Sequence, residues 1–449
     1  MSVGMFESLV TRHWFSAEAR GVWSDRATLQ AWLDVEAALA RAQAELGMIP
    51  TEAARRVAEA ADADRLDLDR LARDVLHAQH PFVPVLRQFE EMCGDPAAGF
   101  IHWGATTQNI FDTAAALQMR RTHAMIVERL NRAETALARL AHDHRDTPQA
   151  GRTHGQHALP ITFGFKVAGW LEETRRDRAR LEERIAGSFV ACFGGAVGTF
   201  AAMEGRGREV EALAARILGL EPSGLPMRGS FDRAADYMTA LGLLAGTARK
   251  IAGDVVFMQR TEIAEVEEAF HMGKVGSSTM AQKRNPSTAL TLISLCRMTN
   301  AHVGLALDSM VRMDEGDSSA TNVADALYPT LGVLGVSVAQ TLEALVTGLV
   351  VHADAMRRNL DLTNGLIVSE AVMMRLSNAM GRHHAHHLLY DAAQRSVMEG
   401  VPFARAIREH AAMRDFKDVD LPLDPAGYLG DSAALAEDAA RPTPSPEVA

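Results

Sequence analysis

Asp112–His144 reads DTAAALQMRRTHAMIVERLNRAETALARLAHDH. The stretch holds no glycine or proline, and its apolar residues recur at spacings of three and four, the period of one helix face. At a rise of about 1.5 Å per residue it predicts a single helix of about 50 Å. That is roughly three times the length of an average helix in a soluble domain. Phe163–Ile185 and Phe231–Phe270 read the same way, the second weakened only at Gly242, Gly246 and Gly253. Ser287–Leu307 and Val323–Val350 complete the set. Helices this long, joined by short polar loops, bury their apolar stripes against one another. The fold class is therefore all-α, around a central bundle of very long helices. No convincing alternating strand pattern is found anywhere.

On either side of the bundle the patterns are shorter. Ser24 reads as the N-cap of a helix running to Leu46, with Leu29, Leu33, Ala37 and Ala40 on one stripe. Thr51–Ala61, Leu66–His77 and Val83–Met92 follow. Beyond His352 the helical patterns shorten again. The expected organisation is an N-terminal helical domain (1–110), the central bundle (111–351) and a small C-terminal helical domain (352–449). Its last stretch, Arg441–Ala449, is rich in Pro, Ser and Glu and is expected to be disordered.

Among the 449 residues 47% are hydrophobic and only 6% aromatic, a composition that suits helices better than sheets. The formal charge of −11 argues against a nucleic-acid partner, which calls for a basic face. Cys93, Cys192 and Cys296 are widely spaced among apolar neighbours and form no metal-ligand pattern, as expected of free thiols in a reducing compartment. The N-terminal MSVGMFESLVTRHW lacks a signal-peptide core, and no membrane span is read in the chain. A cytoplasmic protein with no membrane partner is expected.

Polar clusters stand at the ends of the long helices. Gly276-Ser277-Ser278-Thr279-Met280-Ala281-Gln282-Lys283-Arg284-Asn285-Pro286 reads as a loop, because three hydroxyl residues, flanking glycines and Pro286 all disfavour a helix. A serine there can take a proton while Lys283 and Asn285 hold a carboxylate on which charge builds. His102-Trp103-Gly104-Ala105-Thr106-Thr107-Gln108-Asn109 opens into the long helix, and a hydroxyl pair at a helix start is an anion site. Gly151-Arg152-Thr153-His154-Gly155-Gln156-His157 carries an imidazole suited to protonating a leaving atom. Phe193–Gly198 is glycine-rich, but no strand precedes it and no lysine follows in a phosphate-loop position, so it is not read as a nucleotide cradle. His383, His384, His386 and His387 sit beside Arg382 in a mid-helix pattern without the spacing of a structural zinc site.

Gly276–Pro286 resembles the GSSxMPxKxNP signature of the fumarase/aspartase superfamily, departing only at Ala281, where proline is usual. The resemblance extends over roughly residues 15 to 430. His102–Asn109 is similar to the HxGxTSxD segment of adenylosuccinate lyases and 3-carboxy-cis,cis-muconate cycloisomerases, with Asn109 in place of the usual aspartate. Gly151–Gly164 resembles the lyase segment GRTHxxxAxPxTFG. Asn359–Leu366 and Leu423–Gly430 resemble the C-terminal region of both groups, and His80 matches a second lyase histidine only loosely. By this resemblance Ser277 is the catalytic base and His154 the general acid. Thr106, Thr107, Lys283 and Asn285 bind substrate carboxylates, and His102, Gln156 and Ser278 make further substrate contacts. The resemblance also implies no cofactor, no metal, a small anionic polycarboxylate substrate, and a homotetramer whose sites are shared between subunits.

The chain departs from its relatives at three points. Lyases pair the acid histidine with a glutamate seven residues after the signature lysine; here that position is Leu290. Cycloisomerases also lack the glutamate, but they carry tryptophan where this chain has His154. Finally, Asp314–Asn322 contains none of the arginines with which adenylosuccinate lyases grip a nucleotide phosphate, so a purine nucleotide substrate is not expected. The function expected is a cofactor-free lyase performing a C–N or C–O β-elimination from a succinyl-type polycarboxylate to give fumarate or a close analogue. The alternatives are a lactonising 3-carboxy-cis,cis-muconate cycloisomerase and a catalytically inactive structural homologue.

Overall fold

A computed structural model describes residues 5–271, 273 and 276–442. The expected disorder of the C-terminal tail falls mostly on residues 443–449, outside the described residues. The chain opens with α1 (Ala17–Val22), α2 (Asp25–Glu45), α3 (Thr51–Ala60), α4 (Leu68–Ala78) and α5 (Phe82–Cys93). The long α6 (Thr107–Asp143) leads to β1 (Pro148–Thr153), β2 (Gln156–Thr162) and α7 (Phe163–Ser188). Next come α8 (Gly207–Leu218), α9 (Asp232–Met258), β3 (Val266–Glu267), α10 (Ser287–Asp308), α11 (Ser318–Thr347) and β4 (Val350–Val351). The C-terminal part comprises α12 (Ala353–Leu360), α13 (Ser369–Met380), α14 (Arg382–Glu399), α15 (Phe403–Glu409) and α16 (Ser432–Ala440). The protein is all-α, as its helix-period patterning dictates.

Local rules explain many boundaries. The Ser24 hydroxyl accepts the Ala27 N–H at the start of α2, so the predicted cap is present. Asp67 caps α4 in the same way through the Arg70 N–H. Glycines in the left-handed region end α8 and α14, at Gly219 and Gly400. α11 carries Pro329 in its interior, where proline supplies no N–H to the Asp325 carbonyl.

Three expectations need correction. A β-hairpin, β1–β2, stands where no strand was read, and β3 pairs antiparallel with β4. The helix expected over Phe231–Phe270 stops at Met258, although neither glycine nor proline ends it. Arg260 accepts the N–H groups of Ile263 and Ala264 in a turn, Ala264 takes φ +51°, and Val266–Glu267 leave as a strand. The histidine run belongs to the first turns of α14, not to the middle of a helix.

Contacts group the chain into two compact units, each assembled from three segments. The first comprises residues 1–130, 176–248 and 292–340, and its core includes Leu33, Phe89, Ile126, Tyr237 and Leu331. The second comprises residues 131–175, 249–291 and 341–449. There Leu360, Val368, Val372, Leu388 and Phe403 form a core that takes in Ala150 of β1, so the hairpin is anchored in the C-terminal helices. By length and composition α10 and α11 are each apolar enough to cross a membrane, but 67% of the most apolar window of α11 is buried within the chain, as in a core helix.

Candidate active site

In the first unit the site begins at the α6 N-terminus. Thr106 is the residue before the helix and Thr107 its first residue. The Asn109 side-chain oxygen accepts the Thr106 N–H at 3.1 Å, one arm of a capping box, and the Gly195 N–H at 3.0 Å. Asn109 is fully buried, so this residue ties the helix start to the glycine-rich turn and supplies no free carboxylate. One turn along, burial pushes the Asp112 carboxyl up to about 6, against a hydrogen bond from Gln108 and the charges of Arg312 and Arg228.

His102 lies in the left-handed region at φ +59°. Its Nδ1 is 2.6 Å from Glu36 Oε1, and its backbone N–H donates to Glu36 Oε2 at 3.0 Å. Glu36 is 1% exposed on α2. Sequence reading missed this carboxylate, yet a signal existed: Glu36 falls on the apolar stripe of Leu33, Ala37 and Ala40, where an acid needs a partner.

The second unit carries the remaining residues. Thr153 pairs with Gln156, leaving His154 and Gly155 as a two-residue turn with φ +53° and +78°. Two positive φ values in succession define the turn that matches strand twist, and glycine takes the second at no steric cost. His154 and Gln156 are exposed, and no side-chain hydrogen bond or ion pair joins His154 to a described residue. Below the turn the hairpin is fixed by a buried ion pair. Arg152 meets the fully buried Glu265 at 2.6 and 3.0 Å, and Gln149 and Asn359 donate to the same carboxylate at 2.8 and 2.9 Å. Burial lowers the titration of the neighbouring His157, and the Arg152 charge adds to the effect.

The signature loop is closed on itself. The Asn285 amide donates to the Gly276 carbonyl, and a Cβ at Gly276 would collide with the Lys283 carbonyl, so glycine is required where the two arms touch. Ser277 is half-buried, and its Oγ accepts the N–H groups of Thr279 at 3.3 Å and Met280 at 3.0 Å. Ser278 and Lys283 are exposed. The loop thus brings Ser277, Ser278, Lys283 and Asn285 together. His102, Thr106 and Thr107 belong to the first unit and His154 and Gln156 to a separate hairpin of the second. Leu290, on the first turn of α10, is 46% exposed. On α14, His383 and His387 face each other with Nε2 atoms 3.2 Å apart, and among the described residues no group of three or more His, Cys, Asp or Glu is arranged to hold a metal ion.

Residues 15–299 match the family described as Lyase, and residues 365–439 match the adenylosuccinate lyase C-terminus. The chain is 35% identical over 436 residues to N-acetyl-S-(2-succino)cysteine lyase of Dickeya dadantii, covering 96% of each chain. It is 37% identical over 435 residues to 3-carboxy-cis,cis-muconate cycloisomerase of Pseudomonas aeruginosa, covering 96% of this chain and 95% of the other. Among solved structures, the 3-carboxy-cis,cis-muconate lactonizing enzyme of Pseudomonas putida superposes with a TM-score of 0.89 at 33% identity, over 96% of this chain and 98% of that one. With the signature loop, the α6 helix start and the GRTH hairpin all in place, the chain belongs to the fumarase/aspartase superfamily of class-II fumarate lyases and is an enzyme of that superfamily.

Proposed function

We propose that the chain catalyses a cofactor-free β-elimination from a succinyl-type polycarboxylate, releasing fumarate or a close analogue. One observation carries the reading: two backbone N–H groups converge on the Ser277 Oγ, from Thr279 and Met280. Fixed donors on an oxygen stabilise negative charge there, so a Ser277 alkoxide has a built environment. That alkoxide removes a proton from the carbon beside a substrate carboxylate. Charge then builds on the carboxylate, which Lys283 holds electrostatically and Asn285 shares by hydrogen bonding. Thr106 and Thr107 take a second carboxylate at the α6 N-terminus. His102, Gln156 and Ser278 complete the substrate contacts, with His154 as the acid where one is needed.

The leaving group is the finer question. Leu290 replaces the glutamate that would orient His154, which favours a group able to depart as a stable anion. A thiol titrates near 8.5, so a thiolate leaves with far less help than an amine nitrogen. The Dickeya dadantii relative is named for an S-succinylated cysteine, which supports adding C–S to the C–N and C–O substrates considered. Lactonisation is the second reading. It is favoured by the same Leu290 and by the likeness to the Pseudomonas cycloisomerase and lactonizing enzyme. The test is a panel of S-, N- and O-substituted succinates with 3-carboxymuconate, followed by fumarate absorbance or lactone formation. Turnover is expected on an S-succinyl substrate, and turnover confined to 3-carboxymuconate would replace elimination with lactonisation.

A homotetramer with shared sites belongs to the same proposal. Only 28% of the most apolar window of α10 is buried by its own chain, and Leu290, Leu305 and Leu307 are 46–50% exposed. An apolar helix face left uncovered supports association between copies. Light scattering is expected to give four chains per particle; a stable monomer at micromolar concentration would sink the assembly.

A further inference from the structure

The chain on the two sides of the signature loop, at Glu268 and at the start of α10, is tied to one point. Glu268 is 3% exposed. Its carboxylate accepts the Thr288 N–H with both oxygens, at 3.0 Å each, and the Ala289 N–H at 3.1 Å. These are N–H groups of the first turn of α10, which have no partner inside the helix, and the positive end of the helix dipole supports the carboxylate charge. Gln259, one residue past the end of α9, completes the tie with both ends of its amide. Its Oε1 accepts the Glu268 N–H at 3.0 Å, and its Nε2 donates to the Arg284 carbonyl at 3.4 Å. Arg284 in turn reaches Glu267 at 2.9 Å.

We infer that Gln259 and Glu268 are positioning residues that staple the root of the signature loop and thereby set where Ser277 and Lys283 stand. The inference rests on the proposed role of that loop. Among the described residues of the loop, the arms meet at Gly276 and Asn285, and Lys283 and Arg284 are exposed. A loop of this kind holds its catalytic geometry only if its ends are fixed, because displacement at the root is carried to the tip. Three features converge on the root: a buried carboxylate, an amide used at both ends, and the start of a long helix. Just upstream, Glu265 accepts four hydrogen bonds, so the chain entering β3, which leads to Glu268, is itself held.

Two readouts test the staple. The first needs no substrate: trypsin cuts after the exposed Lys283 and Arg284, so the rate of cleavage at those two bonds in the folded protein, read from fragment masses, reports how often the loop departs from its seat. Glu268→Ala is expected to raise that rate about tenfold or more. Glu268→Gln, which keeps one acceptor, should lie between Ala and wild type, and Gln259→Ala should act in the same direction. The second readout is kinetic, on whichever panel substrate the wild-type enzyme turns over. Glu268→Ala should lower kcat about tenfold and raise KM by a smaller factor, because Ser277 and Lys283 both shift while the remaining substrate contacts persist, and Glu268→Gln should fall between it and wild type. A merely structural role would lower thermal stability and leave kcat per folded molecule unchanged. Should Glu268→Ala fail to fold, Glu268→Gln and Gln259→Ala decide the matter. Unchanged proteolysis and kcat in those variants overturns the staple. Absence of wild-type turnover across the panel defeats the functional reading instead, and trypsin still decides the staple.

Discussion

His102 in the first unit and His154 in the second are both candidate site histidines, both at positive φ, and held in opposite ways. His102 is clamped by a buried carboxylate through its ring and its backbone at once, and next to it the fully buried Asn109 fixes the helix start to a glycine-rich turn. His154 sits exposed on a two-residue turn, its position set by what lies beneath: Arg152, Gln149 and Asn359 on Glu265. In the first unit the polar residues are themselves scaffold. In the second the scaffold is one layer down, and the candidate residues project from it. Mutations should therefore act mainly on stability in the first region and mainly on rate in the second.

The largest effects expected break the second region. Ser277→Ala should lower kcat by about 10²-fold or more with little change in KM, the scale of a positioned general base. Lys283→Ala should damage both parameters, since it holds the carboxylate before and during charge build-up. Steady-state kinetics on the accepted substrate checks both, and a wild-type rate in Ser277→Ala removes the mechanism.

The matching change in the first region is Asn109→Ala. It strands two N–H groups, on Thr106 and Gly195, and leaving buried donors unsatisfied costs about 1–3 kcal/mol each. Denaturant unfolding should show a loss of about 2–6 kcal/mol. Asn109→Asp, which keeps the acceptor, should stay within about 1 kcal/mol of wild type. A catalytic collapse without loss of stability in Asn109→Ala would mean that this residue belongs to the chemistry.

A smaller effect separates a scaffold histidine from a projecting one. Burial pushes His123 of α6 down to about 4, with the Arg120 charge adding to it, and its Nδ1 lies 3.0 Å from the Tyr237 hydroxyl. The ring is neutral when folded, while the unfolded chain titrates near 6.5. Its contribution to stability is therefore complete above pH 6.5 and is lost as the pH falls towards 4. The upper bound is about 3 kcal/mol, and about 1–2 kcal/mol after solvent screening of a half-buried ring. His123→Gln should flatten the acid limb of a stability–pH curve by that amount, and an unchanged limb would assign it to other groups.

What could be read from sequence follows the range of the forces involved. The long helices were legible because their period and their freedom from Gly and Pro are local, and Ser24 was legible as a cap for the same reason. The signature loop was legible because Gly276, Pro286 and the hydroxyl run specify a turn within a few residues. The hairpin was not. Its strand sequences alternate poorly and include Pro148 and Pro160, and what stabilises it is distant: Glu265 across the unit and the C-terminal core around Ala150. The end of α9 was hidden for a related reason. Glu265, Glu267 and Glu268 carry no local stop signal, and only their partners Arg152, Arg284 and the α10 N-terminus turn them into fixed points. Charged residues with long-range partners look alike whether exposed or buried.

The smallest effect expected is the one that identifies the leaving group. On an S-succinyl substrate, His154→Ala should lower kcat by about tenfold or less, because a thiolate departs without a proton and Leu290 gives the imidazole no carboxylate to orient it. On an N-succinyl substrate, if one is accepted, the same change should cost about 10²-fold. The test sharpens when Leu290→Glu is added. Leu290 is exposed on the first turn of α10, so a carboxylate there is tolerated sterically and sits at the favourable end of the helix dipole. In relatives with the glutamate this position partners the acid histidine. Leu290→Glu should therefore raise turnover of the amine substrate several-fold and leave the thioether nearly unchanged. It should also make His154→Ala more costly in the double variant than in the single one. If His154→Ala is severe on the thioether, then the exposed, unclamped imidazole does more than protonate, and the contrast between the two histidines fails at its second member.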